Sequence, residues 1–230
     1  MVFLTADTHF GHINLTQAGK TPSKARPFQD AAEMEEELVR RWNSVVGPRD
    51  SVYHLGDVVW GRGRNLERYD VLNRLNGKIH LIRGNHDRDI WQYQHRTPRF
   101  ESIQDLVTIK YCKRKVVLCH YPLESWDCSL HGSAHFHGHT HGSLPPDLNR
   151  LRQDVGVDCW DFTPVHIEAL LTIMDDRAEA INRRAVEHSR ATVERLVGGP
   201  PTDPVDGSPG ILSETARLSR SQTRTIFHPH

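Results

Sequence analysis

Nowhere does this chain of 230 residues stay apolar for the ~18–20 residues that a membrane-crossing helix requires. Its opening, MVFLTAD, has neither the basic segment nor the apolar core of a secretion signal. A cytoplasmic location and no membrane partner are expected. Net charge is also missing, since 29 basic side chains balance 29 acidic ones. No global field therefore selects nucleic acid or an anionic surface. Lysine is scarce, 6 against 23 arginines, so local phosphate contacts would fall mainly to planar guanidinium forks. Cys112, Cys119, Cys128 and Cys159 form no C-x-x-C pair. That argues against a cysteine zinc site and for free thiols in a reducing compartment. Only 37% of residues are hydrophobic, which points to a polar segment somewhere in the chain.

Histidine is what the chain has in excess. Thirteen of its 16 histidines lie at or before His166, and residues 134–142 read AHFHGHTHG. Such a tract is either a surface metal trap or part of a site whose other groups lie elsewhere.

The first half alternates strand and helix signals. VFLTA is a short apolar run ending at Asp7. Asp30, with Glu33 three residues on, opens a helix whose apolar face is Met34, Leu38, Trp42 and Val45, stopped by Gly47-Pro48. SVYHLGD is a strand ending at Asp57. Asn65 to Leu75 reads as a helix, and KIHLIRGNHD as a third strand. That order predicts βαβ units and a parallel sheet. Beyond Arg99, LVTIKY, KVVLCH, SAHFHG and DVGVDCW read as short strands. Their spacing leaves no room for crossover helices, so antiparallel pairing is expected in much of this half. The fold class predicted is α/β, a double β-sandwich of mixed sheets flanked by helices. Residues 1–175 form the catalytic domain in this reading and 176–197 a helical extension continuing a helix from Ile167. Residues 198–230 form a disordered tail, for want of apolar periodicity.

Five strands end on groups able to bind metal: Asp7 with His9; Asp57; Asn85 with His86 and Asp87; His120; and His139 with His141. One such end means little, but five make a constellation at the carboxyl edge of a sheet. In extended backbone, alternation would turn Asp7 and His9, and likewise His139 and His141, to one side. An all-nitrogen and oxygen set suits Mn, Fe, Zn, Co or Ni.

D-x-H at Asp7-Thr8-His9, G-D at Gly56-Asp57, G-N-H-D at Gly84 to Asp87, the lone His120 and G-H-x-H at Gly138 to His141 occur in that order. In these blocks the chain resembles the calcineurin-like metallophosphoesterases. The resemblance implies that Asp7, His9 and His141 hold one metal ion and that Asp57 bridges. Asn85, His120 and His139 would hold a second, both being divalent transition-metal ions with Mn first. It implies a phosphomonoesterase or phosphodiesterase acting through in-line attack of a metal-bridging hydroxide. His86 would stand at the leaving group, and Asp87 would orient His86.

The remaining polar residues stay open. His12 could touch a substrate phosphate or be a loop histidine. Arg62 and Arg64 could fork a phosphate or sit in a solvated turn. His135 and His137 read as structural or pocket-lining rather than as ligands. Trp126 and Trp160 read as core more than as pocket wall. The partner expected is a small phosphorylated molecule or nucleotide. A nuclease acting on DNA or RNA is the alternative, disfavoured by the zero net charge. A non-catalytic scaffold is the least favoured reading because every ligand position is filled. The helix from Ile167 carries a patchy apolar stripe that could pair with a second chain.

Overall fold

Strands β1 (Val2–Thr5), β2 (Ser51–His54) and β3 (Lys78–Ile82) end where their apolar runs end, with polar residues following at one edge. The computed structural model describes residues 1–61 and 66–197. Arg62 and Arg64 lie outside the described residues, as does the expected tail.

β1, β2 and β3 pair in parallel. β4 (Phe100–Gln104) continues the parallel array beside β3, and β9 (Val165–His166) closes the other edge antiparallel to β1. The order is β4-β3-β2-β1-β9. A second sheet has the order β5 (Leu106–Tyr111), β6 (Arg114–Cys119), β7 (Ala134–His137), β8 (Arg152–Asp154).

Alternation along the strands assigns residues to two cores. Phe3, Val52, Ile79 and Leu81 pack with Met34, Leu38 and Trp42 of α1 (Ala31–Val45) and Tyr93 of α2 (Ile90–Arg96). Leu4, Leu55 and Ile82 face Val116, Leu118 and Phe136 of the second sheet, joined by Leu170 and Met174 of α3 (Ile167–Val197). This is the double sandwich with flanking helices expected above. α1 begins as predicted: the Asp30 carboxylate accepts from the Glu33 amide at 2.8 Å. Glu33 returns its carboxylate to the Gln29 amide, one residue earlier than a capping box would place it. Met1–His188 form one compact unit, and a second begins at Ser189.

Three expectations are corrected. Residues 67–74 form a 3₁₀ helix, not an α-helix. The apolar positions Leu66, Tyr69, Leu72 and Leu75 repeat every three residues, the period of a 3₁₀ helix. The second sheet is mostly parallel: only β5–β6 is antiparallel, while β6–β7 and β7–β8 are parallel. The loops 120–133 and 138–151 make these crossovers without an α-helix. DVGVDCW is not one strand. β8 stops at Asp154 and the chain turns at Gly156 into a 3₁₀ turn, Val157–Cys159. A Cβ at Gly156 would lie 2.7 Å from Asp7 Oδ2. α2 and β4 arise in a stretch where no element was expected.

Candidate metal centre

Asp7, His9, Asp57, His139 and His141 all adopt left-handed backbone, with φ of 56°, 48°, 57°, 71° and 47°. Such φ values cost a non-glycine residue on the order of 1–3 kcal/mol. The reading of Asp7 and His9 as neighbours on one side of an extended strand is therefore corrected, as it is for His139 and His141. Kinked backbone, not the pleat, aims these side chains. Amides secure the kinks: Asp7 N–H donates to Gly56 O at 2.9 Å and His9 N–H to Asp57 O at 3.0 Å. The His139 amide donates to Asp7 Oδ2 at 2.8 Å, tying the two ends of the constellation together.

The kinks assemble two groups. In each of Asp7–His9–His141 and Asp57–His120–His139, the ligand atoms lie within 4.8 Å of one another. Asp57 stands between them, its Oδ2 3.5 Å from Nε2 of both His9 and His120. Its Oδ1 accepts the His86 amide at 2.8 Å. Asn85 joins the second group, its Oδ1 3.1 Å from His120 Nε2. Glycines make these approaches possible. A Cβ on Gly84 would fall 2.2 Å from Asp57 Oδ1, and one on Gly138 2.6 Å from Asp7 Oδ2.

The electrostatics call for cations. Burial, then the charges of Asp154, Asp57 and Asp158, push the Asp7 carboxyl well above its ordinary range. Burial lifts Asp57 to about 7. Burial drives His9 well down and His120 to about 4, so both imidazoles are neutral with lone pairs available. Asp7 Oδ1 and His9 Nδ1 are buried without a hydrogen-bond partner among the described residues. An orphaned carboxylate oxygen facing neutral imidazoles fits a divalent ion, whose charge would offset these desolvation costs. His120 Nδ1 donates to the Leu55 carbonyl at 2.7 Å, leaving Nε2 as the lone-pair nitrogen.

A supporting layer was not foreseen in the sequence. His141 Nδ1 donates to Asp158 Oδ2 at 2.7 Å. Burial raises the Asp158 carboxyl, but the His141 hydrogen bond and Arg26 outweigh it and hold it at about 2. Asp154 gathers the G-H-T-H loop, accepting from Thr140 Oγ1 at 2.6 Å and the Gly142 amide at 3.1 Å. Neither aspartate follows an anticipated strand end, and Arg26 sits in a featureless loop.

A cleft of about 330 Å³ opens on the first group, lined by His9, His12, Lys20, Ser23, Asp57, Trp60, His86 and His141 among others. His86 Nε2 lies 3.9 Å from Asp57 Oδ2, and its side chain is part-exposed in that cleft. His12 is buried beside it, flat against Trp60. Trp60 belongs to none of the motif blocks; its signal in the sequence is an aromatic three residues after Asp57.

Asp87, expected to orient His86, is buried beneath the ligand loops. Its oxygens accept the amides of Asp57 at 2.7 Å, Gly84 at 2.8 Å and Val58 at 3.0 Å, so it fixes the two ligand loops against each other. His135 bonds the Val117 carbonyl at 3.0 Å and the Leu123 amide at 3.1 Å, a structural staple. Trp126 is core, donating to Ser133 Oγ at 2.9 Å. Trp160 packs at the edge of the inter-sheet core.

Residues 1–153 match the calcineurin-like phosphoesterase superfamily domain. An uncharacterized protein of Methanocaldococcus jannaschii is 30% identical over 179 residues, covering 76% of this chain and 91% of that protein. The gene 66 protein of Mycobacterium phage L5 is 26% identical over 191 residues, covering 69% of this chain and 86% of its own. Among solved structures, a protein of unknown function from Aquifex aeolicus shares the fold, with a TM-score of 0.56 and 21% identity. That match covers 75% of this chain and 98% of that one. No helix among the described residues is long and apolar enough to cross a membrane.

Proposed function

The chain belongs to the calcineurin-like phosphoesterase superfamily and is a metal-dependent hydrolase of phosphate esters; from that premise we propose that it works with two divalent ions on a small phosphorylated substrate. Mn is the first candidate metal. The observation that carries the reading is the position of Asp57. One carboxylate oxygen stands 3.5 Å from an imidazole of each group, where a bridge between two sites would stand.

Asp7, His9 and His141 would hold one ion, and Asn85, His120 and His139 the other, with Asp57 shared. Ions bound there supply Lewis-acid polarisation of the phosphate and an activated water. The protein's own contribution is orientation and proton transfer. His86, on the cleft wall, donates a hydrogen bond or a proton to the leaving oxygen, worth on the order of 10²–10⁴-fold. His12 and Trp60 bound the space beside it, and Lys20 and Ser23 offer donors to an anionic or hydroxylated leaving group. A cleft of about 330 Å³ supports a small substrate over a nucleic-acid strand.

The test is hydrolysis by Mn²⁺-loaded protein of p-nitrophenyl phosphate, its bis ester, cyclic nucleotides, and single-stranded DNA and RNA. Turnover of a monoester or small diester is expected. Turnover of the nucleic acids alone would replace this reading with a nuclease.

A further inference from the structure

Arg26 is 3% exposed and lies in the loop between the first D-x-H segment and α1. It spends its guanidinium on four oxygens. Nε and Nη2 fork the Asp158 carboxylate at 2.8 and 2.9 Å. Nη2 also donates to the carbonyl of Asp7 at 2.6 Å, and Nη1 to that of Thr8 at 2.9 Å. Asp158 in turn accepts from His141 Nδ1. One side chain thus grips the kinked backbone carrying Asp7 and His9 and, through Asp158, fixes the ring of His141. All three members of the first ligand group depend on it. Among the described residues Arg26 makes no direct hydrogen bond to the second group, where His120 is held by the Leu55 carbonyl; the link there is indirect, through Asp7, whose Oδ2 accepts the His139 amide.

We propose that Arg26 and Asp158 form a positioning pair that sets divalent-metal affinity at the Asp7–His9–His141 group and acts far less on the His120–His139 group. The inference rests on the two-ion reading above. It goes further by making the two sites separable from outside the ligand set. The physical reason is that a carboxylate accepting from Nδ1–H fixes the ring's orientation and leaves Nε2 aimed at the site. Loss of such a partner costs 10–100-fold in metal affinity in metal–histidine–carboxylate arrangements. Lysine cannot replace Arg26, because a single ammonium cannot fork a carboxylate and also reach two carbonyls.

The experiment is calorimetric titration of the chelator-stripped full-length chain with Mn²⁺, alongside thermal melting. Arg26→Lys and Asp158→Asn should each keep one binding step and weaken the other 10–100-fold. Arg99→Lys is the control. Arg99 also grips backbone carbonyls, those of Leu72, Leu75 and Gly77, away from both groups. That variant should melt earlier yet keep both steps.

In a His120→Ala background, which leaves the first group as the remaining intact one, adding Asp158→Asn should weaken the residual step by the same factor. Asp158→Asn is nearly isosteric, so it decides the matter if Arg26→Lys fails to fold. Two unchanged steps in folded Asp158→Asn would overturn the proposal, as would equal weakening of both. A wild-type chain with one step would instead sink the two-ion reading. The positioning pair would then be judged on whether Asp158→Asn weakens that single step.

Discussion

Trp60 lies flat on His12, the ring centroids 3.5 Å apart and the planes within 2° of parallel. The same indole stands 4.6 Å from the ring of His86. Trp60→Ala should free both imidazoles. A stacked aromatic pair contributes about 0.5–1.5 kcal/mol beyond burial, so kcat/KM should fall up to about tenfold. Trp60→Phe should recover most of it, with metal content unchanged in both. An unaltered kcat/KM in Trp60→Ala would show the stack to be scaffolding alone.

Binding and chemistry should separate between Asp57 and His86. Asp57→Asn should lose bound Mn²⁺ and activity together, read by metal analysis of the purified protein. His86→Ala should retain its metal and lose about 10²–10⁴-fold in turnover. An emptied site in His86→Ala would refute the role given to that residue.

Gly84→Ala should damage the site from the backbone side. Its methyl would meet Asp57 Oδ1 at 2.2 Å and the Asp57 amide at 2.7 Å. Overpacking of this kind costs about 1–3 kcal/mol. The melting temperature and Mn²⁺ affinity should drop together, and a variant matching wild type in both would contradict the geometry.

Acid should destabilise the fold through histidines buried in neutral form. Burial holds His54 at about 3 and His135 at about 4, against 6.5 in an unfolded chain. Below pH 6.5 the unfolded state takes up protons that the native state refuses. Stability from these residues is therefore complete above pH 6.5 and is lost as pH falls toward 3–4, by on the order of a few kcal/mol. Urea midpoints from pH 7.5 to 4 should fall steadily, and less steeply in His135→Gln.

Shortening the chain separates the segment that follows α3 from the helix itself. Removing residues 198–230 should leave melting and activity unchanged, because that segment lacks apolar periodicity. Stopping after Asp175 removes Arg177, which hydrogen-bonds the Arg152 carbonyl and Gln153 Oε1, and Ile181, which packs on the inter-sheet core. That shorter protein should melt several degrees lower. An unchanged melt would leave the helix beyond residue 175 without a structural role.

The sequence was legible wherever a residue's role is local. Asp30 capping α1, Met34, Leu38 and Trp42 on its buried face, and the polar ends of β1 to β3 need only periodicity and neighbours. Most of the seven candidate ligands could be singled out because they fall in short polar blocks that follow apolar runs; His120 stands alone. Other features depend on partners far along the chain. Arg26 meets Asp158 across 132 positions, and nothing near either residue announces the other. The parallel pairing of β6, β7 and β8 was missed for the same reason: irregular loops carry the crossovers. The left-handed residues were misread because Asp-x-His imitates a strand in one dimension, and only the close approach of Gly56, Gly84 and Gly138 reveals the kinks.

The antiparallel pairing of β1 with β9, Phe3 opposite His166 and Leu4 opposite Val165, has a consequence for the order of events on the ribosome. β1 emerges long before β9, so one of its edges stays open until the chain has grown past residue 166. At about 5–20 residues per second that wait is on the order of ten seconds or more. Asp7 and His9 emerge with β1, but His141, which joins their group, and Asp158, which holds its ring, lie more than 130 residues further on. A nascent chain therefore carries an unpaired strand edge and a still-dispersed set of candidate ligands until those residues emerge.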